Sequence, residues 1–359
     1  MSLVLGIELD GEGAHPEAWR RAAHTPDRLL TGRTVADRVA AAENAGFTFA
    51  SFDDSLLPPG ADGGPVGRID AVNRAAFVAA TTSTIGLVPV VGTTYAEPFH
   101  TSSQLATLDY ASRGRGGWIA ARDTDPRVAS ALGRAEVTAP ADLAREERDA
   151  ITVVRDLWDS WEDDAVIRDH TTGRFVDRDR LHYIDFQGET YSVKGPAIVP
   201  RPPQGQLVVF GPEGNTDPSL VDVVLVSGPT LEDTTAAAGR AKAGGTPLVF
   251  AELDVALGSS PPAPPSGRLS FAGDATGLLE LLRALDAHVD GVRLHPAVVD
   301  EDLPVLARSV VPALLRARIA HRPVPGSTLR STLGLDRPVT RFQAERLEDS
   351  SLAERLWRT

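Results

Sequence analysis

Residues 34–54 read TVADRVAAAENAGFTFASFDD. Val35, Val39 and Ala42 recur at helical spacing, and Gly46 stands where a left-handed cap ends a helix, so a helix is predicted over Thr34–Gly46. Phe47–Phe52 is a short apolar run that stops at two carboxylates, Asp53 and Asp54. That is the pattern of a buried strand delivering polar groups to a rim. The same unit recurs on both sides. Strand-like runs at Leu3–Leu9, Ile85–Val91 and Gly116–Ala121 alternate with helical stretches at Ile69–Thr82, His100–Ser112 and Leu143–Trp161. Further on, Leu207–Phe210, Val221–Val226, Pro247–Leu253 and Gly291–Leu294 alternate with helices near 230–243, 276–287 and 302–318. Eight strand candidates with helices between most of them predict an α/β fold with a parallel sheet closed into a (β/α)8 barrel. A doubly wound sheet is the alternative from pattern alone.

Three stretches break the rhythm. Residues 162–206 show no sustained period and carry two aromatic clusters, the mark of a long insertion that is either a functional lid or a packed extension. Ser259–Ser266 is proline-rich and reads as a solvated loop. The tail, 319–359, is largely polar and is expected to wrap the barrel or a partner subunit. All 359 residues are assigned to one domain. With 36 basic and 49 acidic residues the formal charge is −13, which argues against a nucleic-acid partner. Cysteine is absent, which excludes disulfides, thiolate metal sites and a cysteine nucleophile. No apolar run is long enough to span a membrane and no leader pattern opens the chain, so a soluble cytoplasmic protein is expected.

A barrel places its chemistry at the C-terminal ends of its strands. That rule selects Glu8, Asp10, Asp53, Asp54, Thr93, Thr94, Tyr95, Arg122, Asp123, Ser227, Glu252, Asp254 and His295. No dinucleotide fingerprint, phosphate loop, zinc-protease or nucleophile-elbow motif is present. The run Ser112–Gly117, SRGRGG, reads as a tight helix-to-strand turn with its two arginines outside. His100 follows Pro98 and falls in a helix's first turn. Trp158 and Trp161, three apart, read as core.

A longer pattern emerges from the insertion. Leu157-Trp158-Asp159-Ser160-Trp161 opens it. Gly173-Arg174-Phe175, His182, Tyr191-Ser192-Val193-Lys194-Gly195-Pro196 and Pro203-Gln204-Gly205 continue it. Thr93-Thr94-Tyr95, Glu97-Pro98-Phe99-His100, Gly117-Trp118, Pro229-Thr230-Leu231-Glu232 and the tail's Ser327-Thr328-Leu329-Arg330 accompany it in order. This series resembles the bacterial luciferase-like flavin monooxygenases, in the branch of the nitrilotriacetate and dibenzothiophene-sulfone monooxygenases. The resemblance implies a TIM-like barrel, a homodimer or tetramer, and diffusible reduced FMN from a separate flavin reductase. Oxygen and a small organic substrate complete the reaction, and the insertion would form a lid. By the same resemblance Asp54, Thr93 and Thr94 would line the flavin ring, and Trp118 and Phe210 would wall its pocket. Where the family's own contacts are missing, Arg122 is the candidate anion contact, with His295 and Arg293 as further candidates, and His100 and His295 are the candidate proton-transfer residues. No metal site is expected.

The sequence departs from the family at the flavin contacts. Where the family has an amide and a hydroxyl after the tryptophan, this chain has Trp118-Ile119-Ala120-Ala121-Arg122. Where the family holds the phosphate with small hydroxyl residues, it has Phe210-Gly211-Pro212-Glu213-Gly214-Asn215. Proline lacks an amide donor and glutamate repels a phosphate. Two readings therefore compete: a monooxygenase with a rebuilt site for FMN or a deazaflavin, and a catalytically inactive barrel without flavin that binds another small molecule or serves as a partner subunit. A metal-assisted hydrolase built on Asp53, Asp54, Asp254 and His295 is a third, which the ordered resemblance disfavours.

Overall fold

The computed structural model describes residues 2–57 and 67–344. The end of the tail, 345–359, lies outside the described residues. Eight parallel strands form the barrel: β1 Val4–Glu8, β2 Phe49–Phe52, β3 Gly86–Gly92, β4 Gly117–Ala121, β5 Val208–Pro212, β6 Val223–Val226, β7 Leu248–Leu257 and β8 Gly291–Pro296. Each pairs with its neighbours in chain order, and β8 pairs back onto β1, which closes the ring. The extra strand Leu269–Gly273 extends the outer half of β7 in parallel, and the proline-rich loop links the two.

The helices follow the predicted rhythm: α1 Arg33–Ala45, α2 Ala71–Ala79, α3 Pro98–Ala111, α4 Pro126–Ala131, α5 Pro140–Asp159, α6 Leu231–Ala243, α7 Ala275–Asp286, α8 Val299–Val305 and α9 Val311–Arg316. Gly46 ends α1 at φ 107°, as its position implies. No helix stands between β5 and β6, only the short turn Pro218–Leu220.

Two cores are nested. Alternate strand residues such as Leu5, Ile7, Val209 and Leu253 face outward and pack under the helices. The others fill the barrel axis, where Phe49, Phe210 and Phe250 meet with centroids 5.4 to 6.1 Å apart. Gly6 makes room for them, since a Cβ there would lie 2.1 Å from the Phe49 ring. The tail plugs the N-terminal end of the barrel. Leu329 and Leu333 join the axial core, and buried Arg330 reaches Asp222 (3.0 Å) and the carbonyl of Gln206 (3.0 Å).

Two expectations change here. The insertion is cladding on the barrel's flank. Ile184, Val193 and Ala197 pack on Val153 and Leu157 of α5, and Gln204 bonds Asp109 of α3 (2.7 Å). It carries two small hairpins, Val166–Asp169 with Arg174–Val176 and Phe186–Gln187 with Ser192–Val193. None of its residues lines the barrel mouth. Arg115 is not outside its turn. It is buried and donates to the carbonyls of Ile85 (2.7 Å), Thr82 (2.9 Å) and Ala79 (3.1 Å), stapling α2 to the turn before β4.

Candidate active site

Strand alternation decides which rim residues look inward. On β8 these are Arg293 and His295, on β1 Glu8, on β2 Ser51 and on β7 Glu252. Their side chains converge. The Arg293 guanidinium donates to Glu252 Oε1 (2.6 Å), to Ser51 Oγ (2.8 Å) and to Glu8 Oε2. Ser51 in turn donates to Glu8 (2.8 Å), whose other oxygen accepts from the backbone N–H groups of Asp10 (3.0 Å) and Asp53 (2.9 Å). His295 Nε2 lies 3.2 Å from Glu252 Oε1. A carboxylate only accepts, so the ring donates there.

The charges follow from this packing. Burial alone would raise the pKa of Glu8 and Glu252. The Arg293 cation beside them overrides it and holds both below the usual carboxylate range. The same pair of anions, against the burial penalty, holds Arg293 above its ordinary value. His295 is pushed down, first by burial and then by Arg293, so its ring is neutral near pH 7. The Asp53 carboxyl opens onto the cavity with no cation in hydrogen-bonding contact. Desolvation of the carboxyl by the cavity wall, then the negative charges of Glu8 and Asp10, push it up to about 6, although the residue as a whole is exposed.

Above this network lies a cavity of about 410 Å³, within the range of small-molecule sites. One side is an apolar shelf of Val90, Ile119, Ala121, Pro212 and Leu225; the other carries Glu8, Asp10, Asp53, Glu252, Arg268, Arg293 and His295. Both guanidinium groups are committed, Arg268 to Asp254 (2.8 Å) and Arg293 as above.

The expected site residues separate. His295 lines the cavity, and Phe210 lies beneath it in the axial core. Thr93 and Thr94 are buried at the β3 exit, where Thr93 donates to the Ala121 carbonyl (2.9 Å) and Thr94 accepts from Asp123 N–H (3.1 Å). Asp54 turns away and caps, accepting from the amides of Ser55 (2.8 Å) and Ala71 (2.6 Å). Trp118 does not wall the pocket. It sits on the outer face of β4, edge-on to Trp158 at 6.5 Å, because inward positions on that strand belong to Ile119 and Ala121. Arg122 does not await an anion; buried Glu147 accepts from its Nε at 2.7 Å. His100 is exposed on the first turn of α3, outside the cavity lining. Nor do the four residues of the hydrolase reading meet: Asp54 is used as above and Asp254 is taken by Ser266 and Arg268.

Ser51 and Arg268 were not anticipated. Arg293 and His295 sit two apart in an otherwise apolar strand, as do Glu252 and Asp254 on β7. Opposite charges at alternate positions of two buried strands are the signal that finds this network.

The Asp53 carboxyl, which accepts from the Asp54 N–H (2.9 Å) but has no ion-pair partner among the described residues, gives a first prediction. A carboxyl whose folded pKa exceeds its unfolded value of 3.8 weakens the fold when ionised, and that penalty fades as pH falls through about 6. Asp53→Asn is therefore expected to melt at a higher temperature than the parent at pH 7.5, with the difference gone by about pH 4. Thermal melts at the two pH values measure it.

Fold and cavity together define a barrel protein with an open cavity at the C-terminal ends of its strands. Residues 14–240 match the family model of the luciferase-like monooxygenases. The chain belongs to that family. It is 31% identical to nitrilotriacetate monooxygenase component A of Aminobacter aminovorans over 248 residues, 64% of this chain and 54% of that one. It is 33% identical to a subunit of the pristinamycin IIA synthase of Streptomyces pristinaespiralis over 313 residues, 86% of this chain and 91% of that one. The chain thus spans about half the length of the first relative and most of the second. Among solved structures, EDTA monooxygenase (EmoA) from Chelativorans sp. BNC1 superposes with a TM-score of 0.79 at 18% identity, covering 94% of this chain and 99% of that one. At that identity the likeness speaks for the fold. No helix among the described residues is long and apolar enough to cross a membrane.

Proposed function

We propose that this chain is the oxygenase of a two-component system, oxidising a small organic substrate with O2 and reduced flavin from a separate reductase. The observation that carries the reading is the 410 Å³ barrel-mouth cavity with its apolar shelf in a chain of this family. The shelf of Val90, Ile119, Ala121, Pro212 and Leu225 suits the face of a flat ring. The opposite wall does not suit a phosphate: four carboxylates line it against two guanidinium groups, both already paired. The shelf residues would hold the flavin ring, and the lining would offer its phosphate no unpaired cation. When bound, the reduced flavin supplies two electrons, so that one oxygen atom becomes water and the other enters the substrate. The shelf excludes water from the ring. Asp53, with its pKa near 6, is the cavity group suited to pass a proton near neutral pH. Assembly as a homodimer or tetramer and a cytoplasmic location belong to the same reading.

A second reading has its own support. The relative that matches along most of both chains is named as one subunit of a synthase, and the charged wall opposes FMN. A barrel that has lost flavin and serves as partner to a catalytic chain accounts for both. Anaerobic titration with reduced FMN separates the two. The oxygenase reading expects binding at micromolar concentrations, abolished by Ala121→Trp, which fills the shelf. No binding at about 1 mM, an interaction worth no more than ~4 kcal/mol, would overturn it in favour of the partner role.

A further inference from the structure

We infer that the groove between α1 and the helix after β8 is a second small-molecule site, built for an organic anion with an apolar body. It lies outside the barrel, with a cavity of about 470 Å³, larger than that of the mouth. Ala41, Val299, Leu303, Pro304 and Ala307 form its apolar floor. Arg28, Arg33, Arg38 and Arg308 stand around it, against only Asp37 and Asp300. In a chain of net charge −13 that local excess of cations is unusual. Arg38 is committed: it holds Asp300 (2.8 Å), Glu12 (2.5 Å) and the Gly11 carbonyl (2.5 Å). Arg28, Arg33 and Arg308 make no side-chain hydrogen bond or ion pair among the described residues. Three exposed guanidinium groups on the rim of an apolar cavity, of which only Arg28 acts on a neighbouring carboxylate, Asp27, match a carboxylate or similar anion over a hydrocarbon body.

The backbone supports the assignment. Arg308 sits in a widened π-turn, Leu306–Val310, between α8 and α9, downstream of Pro304. Such turns frequently mark functional positions. A metal is the competing occupant, since Glu12, His24 and Asp300 offer ligand atoms close together. Arg38 already holds both carboxylates, so the cation's place is taken. The two cavities also carry opposite charge excess, so one ionic ligand does not suit both.

Calorimetric titration of the full chain with decanoate and with decylamine tests the site. Decanoate is expected to bind and decylamine not. The double variant Arg28→Ala/Arg308→Ala should weaken decanoate at least tenfold, and Ala307→Trp should abolish it. Asp53→Asn, at the mouth, should leave its affinity unchanged. The site is overturned if decylamine binds as well as decanoate, or if affinity survives both groove variants. It is equally overturned if inorganic phosphate binds as tightly, since the apolar floor would then contribute nothing. All the groove variants alter exposed or half-buried side chains, and circular dichroism verifies that they fold.

Discussion

Arg293→Leu is expected to destabilise the protein by about 3–5 kcal/mol, because it leaves Glu8 and Glu252 buried without their shared cation. Both carboxylates take ion pairs from this one guanidinium. Leucine fills much of the space but supplies no donor, so the cost is electrostatic rather than a packing loss. The pH dependence should reverse with it. In the parent, Glu8 and Glu252 have folded pKa values below their unfolded value of 4.5. Their contribution is present above that pH and is lost as pH falls further. Without Arg293, burial dominates and raises both, so the variant should gain stability as pH falls from 7 toward 4.5. Denaturant unfolding at pH 7 and pH 5 measures the effect. A variant that loses less than about 1 kcal/mol, or that is no more stable relative to the parent at pH 5 than at pH 7, would show that the network is not a coupled unit.

Trp118→Ala is expected to cost about 3–5 kcal/mol of stability, the range for deleting a large buried aromatic, and to leave ligand affinity at the mouth unchanged. The indole is 1% exposed, packs edge-on against Trp158 and donates to the Val91 carbonyl at 3.2 Å. Those contacts tie β4 to α5 on the outside of the barrel. Had Trp118 walled the pocket, the same substitution would weaken binding first. Unfolding free energy and flavin titration on one preparation separate the two roles.

The barrel was legible because its strands are apolar runs of similar length, stopped by polar residues and separated by helices with ordinary caps. Gly46 and Pro98 fall where those caps need them. The side of each strand was less legible. Shifting a strand by one residue exchanges its two faces, so Trp118 and Ile119, or Asp53 and Asp54, trade places on a choice that composition does not make. Arg122 looked like an anion contact because its partner, Glu147, lies on α5, 25 residues on and beyond α4. The central ion pair joins residues 285 positions apart, a separation that local pattern does not reach. The insertion, a lid by resemblance and either a lid or a packed extension by its residues, was undecided for a related reason. Its apolar residues are scattered, and only the fold shows that they meet α5 rather than the mouth.

Closure of the ring has a consequence for how the chain is made. β1 pairs with β2 on one side and with β8 on the other, and Leu3 donates to the carbonyl of Ile319 at 2.7 Å. At about 5–20 residues per second, a ribosome needs roughly 12–50 s after finishing β2 to deliver β8. During that interval the first strand presents a bare edge of amides and carbonyls. The plug of Leu329 and Leu333 arrives later still. Nascent chains on one messenger therefore carry matching sticky edges side by side, and the yield of this protein in a cell depends on what shields them until translation ends.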